Sequence, residues 1–568
     1  MESFGEEVRR LTNEALAKMG VEAQLEIERP PSEMADFAVP CFPLAKKLRK
    51  APAVIAEDIA KAIGPSDRFS KVWADKGYLN FKINEPLLAE LTLKAVLSEK
   101  EKYGTLERKN KKVLLEHTSV NPTGPIHVGR ARNPLIGDTL ARCMRKAGYD
   151  VTTEYYVNDV GKQVVLLAWG IKNVPASDVD PADREKTDHK LVPFYRKANA
   201  RMESEPEVVK QISDMLVRFE AGDPATIKQV GETAEKMLQG ISSSLERVNV
   251  KVDQYTWESK FIINGSAKDV VNRLKRSSRC FEDKGASYLE LEELSNQGKS
   301  TKFFFTRSDG TTLYTTRDLA YHLDKFKRAD MWINVLGEDQ KLGMTHLAAA
   351  LKILGETNVP ECVYYSFVSL PEGRMSTRKG VVVYLDDLLD EAEERALEEV
   401  RKRRTDISEE KMADIAKKIG SGAVRYNIIR VQAEKQLIFQ WEDALNFEGN
   451  SAPFLQYAHA RCCSILRKAG SYSRDVDVSL YTHDTEKNLI RVLSLLPAVV
   501  REAGETKRIH VLPAYGHELA SAFNQFYGSV PVLKSGEHED ARLCLVEATQ
   551  WALRNALDTM GIAAPEEM

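Results

Sequence analysis

The stretch that most constrains this chain begins at Val113-Leu-Leu-Glu-His117, a short apolar strand. It runs into a turn-rich loop, Asn121-Pro-Thr-Gly-Pro125, and then into the tight turn His127-Val-Gly-Arg130. Beyond the turn, Ile136, Leu140 and Met144 recur at helical spacing. Pro134 falls inside that helix and is expected to kink it or fray its first turns. Strand, glycine turn and helix in this order open a doubly wound α/β nucleotide fold, with the ligand at the carboxyl ends of the strands and phosphate at the helix N-terminus.

The rest of the pattern sets three regions. Residues 1–20 read as an amphipathic helix with Phe4, Val8, Leu11, Ala15 and Met19 on one stripe. Pro43–Ile63 reads as helix again, and Gly77–Ile83 alternates like a strand. The charged linker 107–112 closes a first, α+β domain over residues 1–108. An α/β domain follows over 109–385. It carries a charged, mostly helical insertion at about 170–300, and strand signals return at Thr301–Thr306, Thr311–Tyr314 and Met331–Leu336. Residues 386–568 read as helical, with Asp475–Thr485 as a linker and a terminal bundle from Leu489. The fold class is therefore multidomain α/β plus all-α.

With 568 residues and a formal net charge of −3, the chain is no general nucleic-acid magnet, so a polyanion would be met by local basic patches. Seven cysteines without a Cys-x-x-Cys pair suggest neither structural zinc nor a disulfide framework. Together with the absence of a long apolar run, they point to a reducing, cytoplasmic protein with no membrane span.

Two segments carry the chemistry. In the turn, His127 can donate to phosphate oxygens near a helix N-terminus, and Gly129 lets adenine approach the backbone. Taken alone, the turn is more readily a glycine bend with an incidental histidine. About 250 residues further on, Gly373-Arg-Met-Ser-Thr-Arg-Lys-Gly380 holds three cations in six residues, bounded by glycines. It could neutralise charge developing on a triphosphate, or be a solvated charge run.

In this order, the two segments resemble the His-Ile-Gly-His and Lys-Met-Ser-Lys-Ser signatures of class I aminoacyl-tRNA synthetases. Their neighbours narrow the resemblance. Glu116–Arg130, Tyr156-Val-Asn-Asp-Val-Gly-Lys-Gln163 and Tyr314-Thr-Thr-Arg-Asp-Leu-Ala-Tyr321 look like arginyl-tRNA synthetase. Asp36-Phe-Ala-Val and Gly77-Tyr-Leu-Asn-Phe81 are similar to that family's extra N-terminal domain, and Phe523–Tyr527 with Gly561–Met568 to its anticodon-binding domain. The resemblance implies a Rossmann-type catalytic domain and a ligase that activates arginine with ATP and Mg²⁺ before transfer to the 3′ end of tRNA-Arg. It also implies that tRNA binds before the adenylate forms. A monomer is expected. The signatures depart at Arg130, where the class has histidine, and at Arg-Met-Ser-Thr-Arg-Lys. The nucleotide residues are thus His127, Gly129, Arg130, Met375, Ser376, Arg378 and Lys379, with the role of Arg130 open.

The amino-acid pocket follows from the ligand. A guanidinium presents five donors in a rigid fork and prefers a bidentate carboxylate. If Tyr314–Tyr321 is helical, Tyr314 and Asp318 face the same way, so Asp318 can accept the fork while the Tyr314 hydroxyl orients it. Alternatively, Asp318 pairs with Arg317 or Lys325 and Tyr314 is core. Glu116, at a strand end, is placed for the α-ammonium, and Asn121 for the carboxylate or ammonium side. By resemblance these four match the family's amino-acid-binding positions, and Gln340 is a further candidate. For tRNA, Lys46, Lys47, Arg49 and Lys50 could meet backbone phosphates. Tyr457, Trp551, Phe526 and Tyr527 could stack on anticodon bases, with Met568 a further contact. Two other readings remain: a class I synthetase for glutamine, glutamate or lysine, and a tRNA-binding paralogue without activity, which Arg130 would permit.

Overall fold

The computed structural model describes residues 1–28, 30, 34–291, 301–369 and 383–568. The opening helix, Glu2–Lys18, buries Phe4, Val8, Leu11 and Ala15 as the stripe predicts. It shares a core with an antiparallel sheet of β1 (Phe37–Pro40), β2 (Phe69–Asp75) and β3 (Tyr78–Ile83), ordered β1-β3-β2. The single helix expected over 43–63 is instead two, Ala45–Leu48 and Pro52–Ala62. Arg49 breaks it by adopting the left-handed region at φ 51°, and Pro52 restarts it in a first turn, where no N–H is owed.

The second region is built on β4 (Lys112–Glu116), β5 (Asp150–Val157) and β6 (Gln254–Trp257). A small antiparallel sheet follows, made of β7 (Cys280–Asp283), β8 (Ala286–Glu290) and β9 (Lys302–Phe304). Then come β10 (Met331–Gly337) and β11 (Glu361–Tyr365). The main sheet is parallel throughout in the order β6-β5-β4-β10-β11. In chain order that is 3-2-1-4-5, the doubly wound Rossmann arrangement. β4 is central and buried from Val113 to Glu116, which is why it reads as a continuous apolar run. The winding reverses between β4 and β10, so a crevice opens at their carboxyl ends.

Two local expectations are corrected here. The helix after the signature turn runs Arg132–Lys146, which puts Pro134 in its first turn; the missing N–H costs nothing there, and the helix continues past it. Thr311–Tyr314 is not a strand. Thr312 makes one isolated bridge to Thr306, and Tyr314 opens the helix Tyr314–Lys325. The Thr315 and Thr316 hydroxyls donate to the carbonyls of Phe304 and Phe305, tying the first turn of this helix to the end of β9.

Between β5 and β6 lie four helices, Lys162–Asn173, Thr187–Ser204, Pro206–Glu220 and Pro224–Arg247. They carry their own core around Trp169, Ile212, Phe219 and Val230. From Leu385 onward the chain is mainly helical, ending in Glu539–Thr559. The N-terminal region docks on these late helices: Asp36 accepts from the Ile83 N–H at 2.9 Å and pairs with Arg491. No described helix is long and apolar enough to cross a membrane.

Candidate active site

A cleft of about 610 Å³ lies at the carboxyl ends of β4 and β10. Glu116, Asn121, His127, Arg130, Tyr314, Asp318 and Gln340 all line it, so residues nominated from distant stretches of sequence converge. Gly129 is buried in the 3₁₀ turn Val128–Arg130 beside it. Met375, Ser376, Arg378 and Lys379 lie outside the described residues.

One end of the cleft is cationic. The Gly129 N–H donates to His127 Nδ1 at 3.0 Å, which leaves Nε2 as the ring's free donor. Burial, then the nearby Arg130, lowers the His127 pKa and favours this neutral form. A Cβ on Gly129 would come within 3.1 Å of the same Nδ1. Arg130 sits at the rim, its guanidinium 5.5 Å from the Phe367 ring centroid and 4.0 Å from Asp339. Residues 383–385, just after the basic segment, hold to this turn: Val128 N–H donates to Val383 O at 3.0 Å, and Leu385 N–H to Ile126 O at 2.8 Å.

The other end is anionic, with three carboxylates from different elements. Glu116, at the end of β4, accepts from Lys325 at 2.7 Å and from the Ser119 hydroxyl at 3.1 Å. Glu258 pairs with Arg317. Burial pushes Glu258 up to about 7 while Arg317 pulls it back; paired or protonated, it offers the cleft no free charge. Asp318 is the third, with its side chain 37% exposed. Its candidate partners are both engaged elsewhere, Arg317 with Glu258 and Lys325 with Glu116. His322 packs beside Asp318, its Nδ1 2.8 Å from the Asp318 carbonyl and 3.1 Å from Oδ1. Among the described contacts no hydrogen bond joins it to the Tyr314 hydroxyl; Tyr314 is 67% exposed over the cleft. Asn121 donates to Gln163 at 3.2 Å, and Gln340 to Asp339 at 3.2 Å, both at the open rim.

Sequence reasoning assigned no role to several residues found here. Tyr156, Asn158 and Gln163 line the cleft and belong to a motif quoted only for its resemblance. His322 and Asn334 line it as well, and Lys325 lies beneath. Charged and amide residues in otherwise apolar segments were the available signal.

His117 follows Glu116 and is fully buried, with Nδ1 2.8 Å from the Thr118 hydroxyl. Burial holds its pKa at about 4 instead of 6.5, against the opposing pull of Asp138 and Glu116. The folded state therefore resists a proton that the unfolded state accepts. The stability that His117 contributes in the neutral form is complete above about pH 6.5 and is lost as the pH falls towards 4, by up to about 3 kcal/mol. Urea unfolding between pH 7 and 4.5 should show a shallower pH slope for His117→Asn than for the parent; equal slopes would refute this.

Of the possible tRNA contacts, Lys46, Lys47, Arg49 and Lys50 are all exposed. Lys47 donates to Glu22 O, and Lys50 pairs with Asp58 at 2.7 Å. In the late helices Tyr457 and Tyr527 are exposed, with the Arg461 guanidinium 4.7 and 5.3 Å from their ring centroids. Trp551 is half-buried, Phe526 is core, and Met568 packs against the cluster that includes Val400 and Met412.

Residues 92–441 match the family model described as tRNA synthetases class I (R), catalytic domain. Residues 6–83 match the arginyl tRNA synthetase N terminal domain, and 455–568 the DALR anticodon binding domain. The arginine–tRNA ligase of Methanocella arvoryzae is 48% identical over 567 residues, covering 99% of both chains. That of Methanosarcina barkeri is 42% identical, covering 98% of both. The arginyl-tRNA synthetase of Thermus thermophilus superposes with a TM-score of 0.84 at 28% identity, covering 99% of this chain and 100% of its own.

Proposed function

Since this chain belongs to the arginyl-tRNA synthetases, class I ligases that join arginine to its tRNA, we propose that its cleft binds arginine and ATP end to end, the guanidinium at Asp318 and the phosphates at the His127 turn. The observation that carries this reading is the cleft's polarity: the Arg130 cation and the neutral donor His127 at one end, with one uncompensated carboxylate, Asp318, at the far end. The reaction needs no covalent enzyme intermediate. The arginine carboxylate attacks the α-phosphorus of ATP and pyrophosphate leaves, giving arginyl-adenylate; the terminal ribose hydroxyl of tRNA then attacks its acyl carbon, the hydroxyl proton is lost, the acyl–phosphate bond breaks and AMP leaves. Both steps gain from positioning and from donors aimed at developing charge.

In this reading His127 donates from Nε2 to a phosphate oxygen, and Gly129 leaves room for the nucleotide. Arg130, Met375, Ser376, Arg378 and Lys379 act on the triphosphate. Glu116 and Asn121 hold the α-ammonium and carboxylate, with Tyr314 and Gln340 closing the sides. Since Lys325 already neutralises Glu116, its contribution is an oriented hydrogen-bond acceptor more than a net charge. Mg²⁺ enters with ATP, held by phosphate oxygens and water. Residues 1–108 would serve the tRNA elbow, 109–385 catalysis and 386–568 the anticodon. The enzyme would work as a cytoplasmic monomer that needs tRNA before activating arginine.

His127→Ala tests the assignment. Losing a donor to a charged oxygen costs about 1.5–3 kcal/mol, so tRNA-supported ATP–pyrophosphate exchange should fall roughly 10- to 150-fold. Affinity for tRNA should stay within about twofold. Equal loss of both, or undiminished exchange, would remove His127 from the nucleotide site.

A further inference from the structure

Beneath the cleft, a buried chain of polar groups connects two carboxylates that lie on different elements. It starts at Glu116, whose Oε2 accepts from Lys325 Nζ at 2.7 Å. The same ammonium donates to Asn334 Oδ1 at 2.6 Å. Asn334 Nδ2 lies 3.0 Å from His322 Nε2, and His322 Nδ1 lies 2.8 Å from the carbonyl and 3.1 Å from Oδ1 of Asp318. Lys325, Asn334 and His322 are all buried to 1% exposure or less. The parallel register makes this possible: Asn334 of β10 stands beside Glu116 of β4, and the helix Tyr314–Lys325 carries Asp318, His322 and Lys325.

Donor and acceptor chemistry gives the chain a single direction. An ammonium has only donors, so the atom of Asn334 facing Lys325 must be its oxygen. The amide NH₂ then faces His322, and Nε2 must be the acceptor. The ring proton is forced onto Nδ1, where it is donated to the Asp318 carbonyl at 2.8 Å with Asp318 Oδ1 3.1 Å away. One oxygen of Asp318 thereby lies beside a ring N–H and not a lone pair, and the rest of the carboxylate is left facing the cleft.

We infer that Lys325, acting through Asn334 and His322, is the positioning residue that sets the arginine specificity of this site. It does two things. It cancels the charge of Glu116, so that with Glu258 held by Arg317 only Asp318 presents a free negative charge. It also fixes the His322 tautomer, which keeps a ring N–H 3.1 Å from the Asp318 carboxylate and so favours the orientation a planar fork requires. A guanidinium gains two aligned bonds from a carboxylate so held, whereas an ammonium, with its rotatable donors, gains little from the alignment. Without Lys325 the Asn334 amide is free to turn its NH₂ towards the unpaired Glu116. Its oxygen then faces Nε2, the proton moves to that nitrogen, and Nδ1 turns a lone pair on Asp318.

This inference rests on the assignment of Asp318 to the guanidinium, and its test keeps the two apart. The tautomer of His322 is read by nitrogen NMR of the full-length enzyme carrying ¹⁵N-histidine, with the resonance assigned by its loss in His322→Asn. The parent should show Nδ1–H and an unprotonated Nε2. Lys325→Met, close to lysine in shape, should shift the population to Nε2–H and raise the KM for arginine about tenfold or more in tRNA-supported exchange, with the KM for ATP within about twofold. Preference for arginine over lysine should fall in parallel. If Lys325→Met does not fold, Asn334→Ala cuts the same chain while sparing the Glu116–Lys325 pair, and should give mixed tautomers with a raised arginine KM. A parent in the Nε2–H form overturns the inference. So does a variant whose tautomer changes while the arginine KM does not, or whose KM changes while the tautomer does not. Asp318→Asn with an unchanged arginine KM would instead overturn the site assignment, leaving the tautomer result standing.

Discussion

Asp318→Ala is expected to lower kcat/KM for arginine in tRNA-supported exchange by about 10³-fold, the largest effect of any substitution on the amino-acid side of the cleft. Removing one partner of a hydrogen-bonded charge pair costs about 2–5 kcal/mol, because the other charge is left desolvated and unpaired. The upper half of that range applies here. Glu116 and Glu258 are already matched by Lys325 and Arg317, so no second free carboxylate can take over. Asp318→Asn keeps the shape and one acceptor, and should lose less, about 10²-fold. The loss should fall on the KM for arginine, with the KM for ATP nearly unchanged. Glu116→Gln is the informative contrast: it leaves Lys325 as an uncompensated buried cation next to the incoming α-ammonium, so it should also impair arginine binding, but through repulsion. Added salt should ease that repulsion only slightly, since the charge is buried. An Asp318→Ala enzyme with arginine kinetics within about threefold of the parent would remove the guanidinium from this end of the cleft.

The sheet and the turn that borders the cleft were legible in the sequence for local physical reasons. β4 is buried on both faces, so Val113-Leu-Leu is apolar without alternation, and the turn after it needs glycine where a Cβ would crowd His127. Asp318 was legible because helical spacing carries it on one face with Tyr314. Local signals misled where a tertiary contact decided. Thr311 and Thr312 look strand-like, but the Thr315 and Thr316 hydroxyls bind carbonyls at the end of β9 and a helix starts at Tyr314. The break at Arg49 had no glycine to announce it. Lys325 was invisible as a site residue because its partners are 209 and 9 residues away, and only the register of β4 beside β10 brings them together. Read in isolation, a lysine near a helix end looks like surface charge.

Arg425→Met should produce the largest loss of stability, about 4 kcal/mol in the transition that separates the catalytic and late helical regions, measured by urea unfolding. Arg425 lies in the helix Glu409–Ile429 and is fully buried. Its guanidinium pairs with Asp138 of the helix that follows the signature turn and donates to Thr139 Oγ1 at 3.1 Å. It also donates to Val248 O at 2.6 Å, just after the helix Pro224–Arg247, and to Met560 O near the carboxyl terminus. Four segments are therefore tied by one side chain. Gly561, at φ 72°, makes room for it: a Cβ there would come within 2.4 Å of the guanidinium. Methionine fills the volume but leaves two buried carbonyls without a donor and Asp138 with Arg142 as its remaining ion-pair partner. Asp138→Asn should cost less, because Arg425 keeps its carbonyl partners. The double variant Arg425→Met/Asp138→Leu should recover part of the loss, since replacing both members of a buried pair by apolar groups avoids the stranded charge. Additive losses in the double variant would mean that the two residues act independently, and that the carbonyl contacts alone hold the segments together.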